Sequence, residues 1–161
     1  MKLLSMTGRG GGYQEGVMAL VTDTVPVSTR GDAQMLDITR EVQEVVGRHG
    51  FREGAALVFV SGSTAGLTTV EYEPGLLEDI PAAFERLAPR DMRYKHEDTW
   101  HDGNGHSHVR ASLLGPSLTI PFRDSRLLLG TWQQIVLIDF DNRPRKRDVV
   151  VQLTGERSTG E

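Results

Sequence analysis

The chain has 161 residues, a length typical of one domain, and 38% of them are hydrophobic, which is enough for a sizeable core. Its net charge of -4 argues against general nucleic-acid binding, and the absence of cysteine excludes disulfides, thiolate catalysis and cysteine-based zinc sites. No apolar run approaches the ~20 residues of a membrane-spanning helix and no signal peptide is recognisable, so we expect a cytoplasmic protein with no membrane partner.

The first 17 residues are rich in glycine and show neither a helical nor a strand period. We therefore predict that residues 1–17 form a flexible leader outside the fold, with Met18 as an alternative start. A single domain is expected over residues 18–157, followed by a C-terminal tail at residues 158–161.

The domain is predicted to begin with a strand and a helix. The strand is rich in Val and Thr, and Pro26 favours a position at the edge of the sheet. In the helix that follows, Asp32 is the expected N-cap and Gly50 the stop. Apolar residues spaced by three and four form the stripe that would face the core: Met35, Ile38, Val42, Val45 and Val46.

Closely spaced strands are predicted for most of the remaining chain. A second helix is expected over residues 77–87 with Pro81 in its first turn, and the polar, Gly-rich segment 97–107 is expected to be a loop. The predicted strands cover residues 55–61, 67–72, 109–114, 117–122, 126–129, 132–140 and 148–153. Since the later connections are too short for crossover helices, the strands should be mostly antiparallel. The predicted fold class is α+β: an antiparallel, β-rich sandwich or squashed barrel with two packed helices.

Four of the five histidines fall within one short segment: His96, His101, His106 and His108. Imidazole is the side chain best suited to proton transfer near neutral pH and to metal ligation. On an extended backbone His106 and His108 would point to one face, where His96 would join them. With a carboxylate, this set would suit a divalent metal such as Mg or Zn. The alternative is that the histidines are only solvated loop residues, because their spacing matches no specific metal motif.

Three further segments carry candidate binding groups. Residues 62–66 form a Gly/Ser/Thr loop that would either cradle phosphate or make a plain turn. Glu71 and Glu73 would share one face of a strand, as a paired-carboxylate site or as a solvent-facing edge. The basic run 143–147 is a candidate phosphate site because arginine binds phosphate with two hydrogen bonds, and its alternative is a charged hairpin turn.

Several motifs are long and ordered enough to indicate a family. They are STAGLTTVEYEP from residue 63, YKH from residue 94, NGHSHVRASLLGPS from residue 104, LGTWQ from residue 129 and DFD from residue 139. Together they resemble the YjbQ-like family over about Leu20 to Gly155. The resemblance implies a compact, β-rich α+β fold and a homotrimer with its site near subunit boundaries. It also implies a secondary thiamine-phosphate synthase activity, which joins a hydroxymethylpyrimidine diphosphate to a thiazole phosphate and releases pyrophosphate.

The same resemblance implies a set of site residues. The positions that match recurring polar residues of the family are Glu71, His96, Asn104, His108 and Gln133. One departure is Gly62, where many members carry a histidine. His106 is the candidate that would replace this missing ligand.

The leading hypothesis is a transferase of this kind acting on a small phosphorylated substrate. Its catalytic residues would be His108, His96 and Glu71, and a metal would be held by His96, His106 and His108. The substrate-binding residues would be Ser63, Thr64, Asn104, Gln133 and Arg143. Two other hypotheses use the same residues: a non-catalytic metal- or anion-binding trimer, and a metal-dependent hydrolase of phosphate esters.

Overall fold

The computed structural model describes the backbone of residues 2–6 and 13–157, with side chains from residue 18 to residue 157. Nine strands and four helices form in this part of the chain. In chain order they are β1 (Lys2–Met6), β2 (Tyr13–Thr29), β3 (Gln34–Asp37), α1 (Thr39–Arg48), β4 (Phe51–Val60), β5 (Ala65–Val70), α2 (Pro74–Leu87), α3 (Glu97–Trp100), α4 (Gly105–Leu114), β6 (Ser117–Arg123), β7 (Arg126–Leu127), β8 (Gln134–Asp139) and β9 (Arg145–Arg157). None of these four helices is long and apolar enough to cross a membrane.

The strands form two sheets. A six-stranded sheet has the order β1-β2-β9-β4-β6-β7, and a three-stranded sheet has the order β3-β8-β5. Each pairing in the described part of the chain is antiparallel. The predicted α+β, antiparallel and β-rich architecture is therefore confirmed. Pro26 lies where β2 has a neighbour on one side, β9, and no second described neighbour, as its missing N–H requires.

Strand β8 lies in the middle of the core, and this explains its continuous apolar sequence. Ile135 and Leu137 belong to the core cluster between the two sheets. Val136 and Ile138 alternate with them and pack in a second cluster with residues of α2 and α4. The molecule thus has three layers: the six-stranded sheet, the three-stranded sheet, and helices α2 and α4. Helix α1 packs instead in the first cluster, through Val42, Val45 and Val46. Each fully buried aliphatic side chain of this kind contributes about 1.5–3 kcal/mol.

The first predicted helix is only partly correct. Its second half is α1, whose Val42, Val45 and Val46 are fully buried as the stripe required. Its first half is strand β3, in which Met35 pairs opposite Ile138 of β8. The predicted N-cap Asp32 is wrong, because its φ of 53° places it in a left-handed turn before β3.

The segment that surrounds the histidines also differs from expectation. Residues 97–107 contain α3 and the start of α4, and the predicted strand 109–114 is the rest of α4. Ala, Arg and Leu in this stretch are good helix formers, and the φ of 91° at Gly115 ends the helix. The described chain therefore has four helices where two were predicted.

Helix α2 begins earlier than predicted. Pro74 is its first residue, and the carboxylate of Glu73 caps it by accepting hydrogen bonds from the backbone N–H groups of Gly75 (2.7 Å) and Leu76 (2.6 Å). Pro81, which was expected in the first turn, lies inside the helix.

The predicted leader is placed partly in the sheet. The backbones of residues 2–6 and 13–17 pair with each other as an antiparallel hairpin, and Val17 also pairs opposite Arg157. Residues 1 and 7–12 of the leader and the whole tail 158–161 lie outside the described residues. The domain boundaries stay a prediction.

The outer face of the six-stranded sheet carries apolar side chains. Leu20 on β2 is 63% exposed, and Leu57 and Phe59 on β4 are each 38% exposed. Residues directly opposite them in the ladders point to the same face, for example Gln152 opposite Leu57. This face is therefore a mixed apolar and polar surface.

Candidate functional site

A cleft of about 460 Å³ opens where the two sheets meet the helices. It is lined by Gly62, Ser63, Thr64, His96, Trp100, Asp102, Asn104, His108, Arg145 and Arg147. The loop between β4 and β5 crosses from one sheet to the other here, β9 begins here, and α3 and α4 provide the histidines. Five of the residues predicted to form the site thus meet in one place: Ser63, Thr64, His96, Asn104 and His108.

His96 and His108 form a stacked pair in this cleft. Their ring centroids are 4.4 Å apart and the rings are tilted by 39°. His96 is the N-cap of α3, and His108 lies in the first turns of α4. Nε2 of His96 is buried and makes no hydrogen bond within the described part of the chain. Oδ1 of Asp102 is 3.4 Å from this nitrogen, which is an ion-pair distance but too long for a good hydrogen bond.

The environment of His108 favours its neutral form. Burial lowers the pKa of His108 below its ordinary value, and the neighbouring His96 lowers it further. Asp102, Asp141 and the backbone of Ser63 act in the opposite direction without reversing the shift. A neutral imidazole at neutral pH is able to accept a proton.

A buried ion-pair network forms the floor of the cleft. Arg147 binds Asp139 with two hydrogen bonds of 2.7 Å, one from Nε and one from Nη2. Arg145 donates from Nε to Oδ2 of Asp141 at 2.8 Å. Both carboxylates are fully buried, and Thr29 of β2 donates a further hydrogen bond to Asp139 at 2.6 Å. Because β8 leads into these aspartates and β9 carries the arginines, the network joins the two sheets.

The network leaves donors available to a ligand. The hydrogen bonds of Arg147 use Nε and Nη2, while Nη1 lies beside Gly62. Gly62 has a φ of 134°, and a Cβ there would approach this nitrogen to 3.0 Å. The Arg145 side chain is one-third exposed. Guanidinium groups held in this way are suited to binding phosphate oxygens.

Thr64 lines the cleft, but its hydroxyl is engaged in the ion-pair network. Its hydroxyl donates to Oδ2 of Asp141 at 2.8 Å and accepts from Nη2 of Arg147 at 2.7 Å. A hydroxyl has one proton, so Thr64 positions these charged groups and has no hydrogen left to donate to a substrate. The neighbouring Ser63 is exposed and is the hydroxyl that faces the solvent.

The pKa of Asp141 is lowered even though burial works in the opposite direction. Hydrogen bonds from Arg145 and Thr64, together with the charge of Arg145, outweigh the burial. The carboxylate therefore stays ionised and keeps Arg145 in place.

His106 does not join the other two histidines. It is two residues before His108, and on a helix this spacing turns the side chain by about 200°. The ring of His106 is 3% exposed and lies near Tyr94, in a separate pocket with Glu85, Arg90 and Arg110. The predicted convergence of three imidazoles is wrong because it assumed an extended backbone.

The described residues do not fit the expected metal centre. Among them, no group of three or more His, Asp or Glu side chains is arranged to hold a metal ion. The stacked rings of His96 and His108 are the part of the predicted ligand set that comes together.

Three predicted site residues lie outside the cleft. Glu71 is exposed after the far end of β5, so it does not form a carboxylate pair with the capping Glu73. Gln133 precedes the far end of β8 and donates to Oγ1 of Thr69 at 3.0 Å. Arg143 is exposed in the turn before β9.

The basic run 143–147 was predicted as a phosphate site, but Arg143 was the arginine chosen from it, whereas Arg145 and Arg147 line the cleft. Their signal was available: residues 145 and 147 share one face of a strand, and Asp139 and Asp141 alternate in the same way. Trp100 and Asp102 gave no comparable signal, because their position depends on the short helix α3.

The fold is that of an antiparallel α+β protein whose cleft is lined by histidines and arginines, and comparisons with known proteins agree with the fold class. The sequence model of the family described as UPF0047 protein YjbQ-like matches residues 23–156. A UPF0047 protein of Archaeoglobus fulgidus is 39% identical over 126 residues, which are 78% of this chain and 95% of that protein. The UPF0047 protein YugU of Bacillus subtilis is 34% identical over 82% of this chain and 98% of that protein.

Solved structures give the same result. A YbjQ-like protein of unknown function from Sulfolobus solfataricus superposes with a TM-score of 0.82 at 34% identity, covering 87% of this chain and 100% of that chain. A YjbQ/UPF0047 family protein from Clostridium acetobutylicum gives a TM-score of 0.74 at 36% identity, over 81% of this chain and 98% of that chain. The chain belongs to the YjbQ-like UPF0047 family.

Proposed function

We propose that the cleft binds the phosphate groups of a small phosphorylated molecule and that His96 and His108 transfer a proton at the reacting oxygen. The observation that carries this proposal is that a close imidazole pair and two arginines held by buried aspartates line the same cleft. Arginine forks and a free serine hydroxyl are donors for phosphate oxygens. Burial and a charge on the neighbouring His96 lower the pKa of His108, so His108 stays neutral beside a proton on His96.

Within this class, the family resemblance favours a transferase like thiamine-phosphate synthase. In that reaction the bond between the pyrimidine methylene carbon and the diphosphate oxygen breaks, and the ring nitrogen of the thiazole phosphate bonds to the same carbon. The electron pair of the broken bond leaves with pyrophosphate, which takes up a proton. Arg145 and Arg147 would stabilise the charge of the leaving group, and His96, beside Asp102, would donate the proton while His108 stays neutral.

The test has a binding arm and a turnover arm. Titration calorimetry with pyrophosphate should give binding to the native protein and at least tenfold weaker binding to His108→Ala, because the ring above the anion is lost. His101→Ala is the matched control, since His101 is exposed and does not line the cleft. A coupled assay with both thiamine precursors should give product with the native protein and His101→Ala but not with His108→Ala.

Other outcomes separate the alternatives. Pyrophosphate binding without turnover would favour a non-catalytic anion-binding protein. Equal activity of the native protein and His108→Ala would contradict the role of the histidine pair. A metal-dependent hydrolase has less support, because the described histidines and carboxylates form no three-ligand cluster.

The homotrimer implied by the resemblance is part of this proposal. The exposed Leu20, Leu57 and Phe59 on the outer face of the six-stranded sheet support a contact between copies of the chain. Light scattering coupled to size-exclusion chromatography should give three times the mass of the chain, and Leu57→Lys should lower that mass. A monomeric mass for the native protein would contradict the trimer.

A further inference from the structure

Trp100 stands at the rim of the cleft with most of its side chain in solvent. It is 68% exposed and lines the same cleft as the histidine pair and the two arginines. Trp100 lies one helical turn after His96 on α3, and its backbone N–H donates to the His96 carbonyl at 3.1 Å. The indole therefore lies on the side of α3 that carries the reacting imidazole.

The segment that carries Trp100 is held in place. The carboxylate of Glu97 accepts hydrogen bonds from the backbone N–H of Gly103 at 2.7 Å and from that of Gly105 at 2.9 Å. These bonds tie α3 to the start of α4. His101, with a φ of 53°, closes α3 in a left-handed turn and donates its N–H to the Glu97 carbonyl. An exposed aromatic side chain on a fixed backbone costs little conformational entropy when a ligand covers it.

We infer that Trp100 is a stacking platform that selects phosphorylated molecules bearing a planar aromatic ring. The inference rests on the proposed function: with the phosphate bound by the arginine side of the cleft, the rest of the ligand extends toward the rim. An indole face attracts another planar ring by dispersion and quadrupole complementarity, and a saturated ring of equal size gains less. Stacking of this kind changes affinity by about tenfold.

The test compares three probes with the native protein, Trp100→Ala and Trp100→Phe. The probes are phenyl phosphate, cyclohexyl phosphate and inorganic phosphate, with affinities measured by titration calorimetry. Phenyl and cyclohexyl phosphate share the charge and the approximate volume and differ in the aromatic face. The native protein should prefer phenyl phosphate by about tenfold. Trp100→Ala should lose this preference, Trp100→Phe should retain part of it, and inorganic phosphate should bind equally to all three proteins.

Tryptophan fluorescence tests whether the aromatic ring of the ligand contacts Trp100. The chain has two tryptophans, and Trp132 is 71% exposed outside the cleft. In Trp132→Phe all tryptophan emission, excited selectively at the red edge of the absorption band, comes from Trp100 and should change on addition of phenyl phosphate. In Trp100→Phe the emission of Trp132 should not change.

The outcomes distinguish this inference from the proposed function. If inorganic phosphate binds but phenyl phosphate has no advantage, or if the advantage survives in Trp100→Ala, the stacking role is overturned. If none of the three probes binds the native protein, the phosphate site itself is wrong and the stacking role falls with it.

Discussion

His96 and His108 stack with their ring centroids 4.4 Å apart, although one belongs to the start of α3 and the other to α4. The contact depends on the turn between the two helices, which Glu97 fixes through Gly103 and Gly105. His96 therefore influences the protonation of His108, and this influence is measurable.

Replacing His96 should change the titration of His108. His96→Gln removes one of the two causes that lower the pKa of His108, so this pKa should rise. NMR titration of the His108 ring protons measures the shift, and His101→Gln serves as the control that leaves it unchanged. A fall in the pKa of His108 in His96→Gln would contradict the assigned interaction.

The stability of the protein should increase with pH across the histidine range. The pKa values of His106 and His108 are both lowered in the folded chain, chiefly by burial. Between the folded and unfolded pKa values the unfolded chain binds more protons, so the free energy of unfolding rises with pH there. The gain should be complete above about pH 6.5, the ordinary histidine pKa, and the full penalty should be present below the folded values.

Urea unfolding between about pH 5 and about pH 8 measures this effect. The rise in midpoint should be smaller in His106→Gln and in His108→Gln than in the native protein, and unchanged in the exposed variant His101→Gln. The same slope in all four proteins would show that the two buried rings do not cause the pH dependence.

The buried pair of Asp139 and Arg147 should be sensitive to loss of one partner. Arg147→Met leaves the fully buried Asp139 carboxylate without its bidentate partner, which should cost about 3–5 kcal/mol in the free energy of unfolding. Arg40→Met is the matched control, because Arg40 pairs with Glu44 on the exposed face of α1 and its loss should change little.

A double variant tests whether the loss belongs to the pair. Asp139→Asn combined with Arg147→Met should lose less stability than the two single changes together, because the second change removes the charge that the first left unpaired. Strict additivity in urea unfolding would argue against a direct interaction.

Glu73 should act as a helix cap and not as a site residue. Glu73→Ala removes the carboxylate that caps α2 and should lower stability by about 0.5–2 kcal/mol. Glu78→Ala, an exposed change within the same helix, should have a smaller effect. Pyrophosphate affinity should be the same in both variants. A loss of affinity in Glu73→Ala alone would indicate that the Glu73 carboxylate belongs to the binding site.

The sequence predicted the strands better than the helices because period-two patterns and turn residues are local signals. Strands β4, β5, β6, β8 and β9 each overlap most of the segment that was predicted as a strand at that place in the chain. Met35 was assigned to a helix since its spacing from Ile38 and Val42 fits 3.6 residues per turn, but pairing with β8 overrides that pattern. Partners far away in sequence decide such cases.

The site was predicted in part for the same reason. His96, His108 and the Ser63–Thr64 loop were identified by residue type and Asn104 through the family resemblance, and neither requires knowledge of the backbone. The expected ligand role of His106 required a strand where the chain forms a helix, and the choice of Arg143 over Arg145 required the register of β9. Both errors concern where a side chain points, which only the assembled layers determine.

The position of the cleft across the junction of the two sheets links ligand binding to melting. Any molecule that contacts Ser63, Arg145 and the histidines together bridges layers that separate when the chain unfolds. Such a molecule binds the folded state alone and adds about 2.7 kcal/mol of stability at one hundred times its dissociation constant. A molecule that binds the cleft should therefore raise the melting temperature. The rise measured at one fixed concentration would rank a library of phosphorylated metabolites by their affinity for the folded protein.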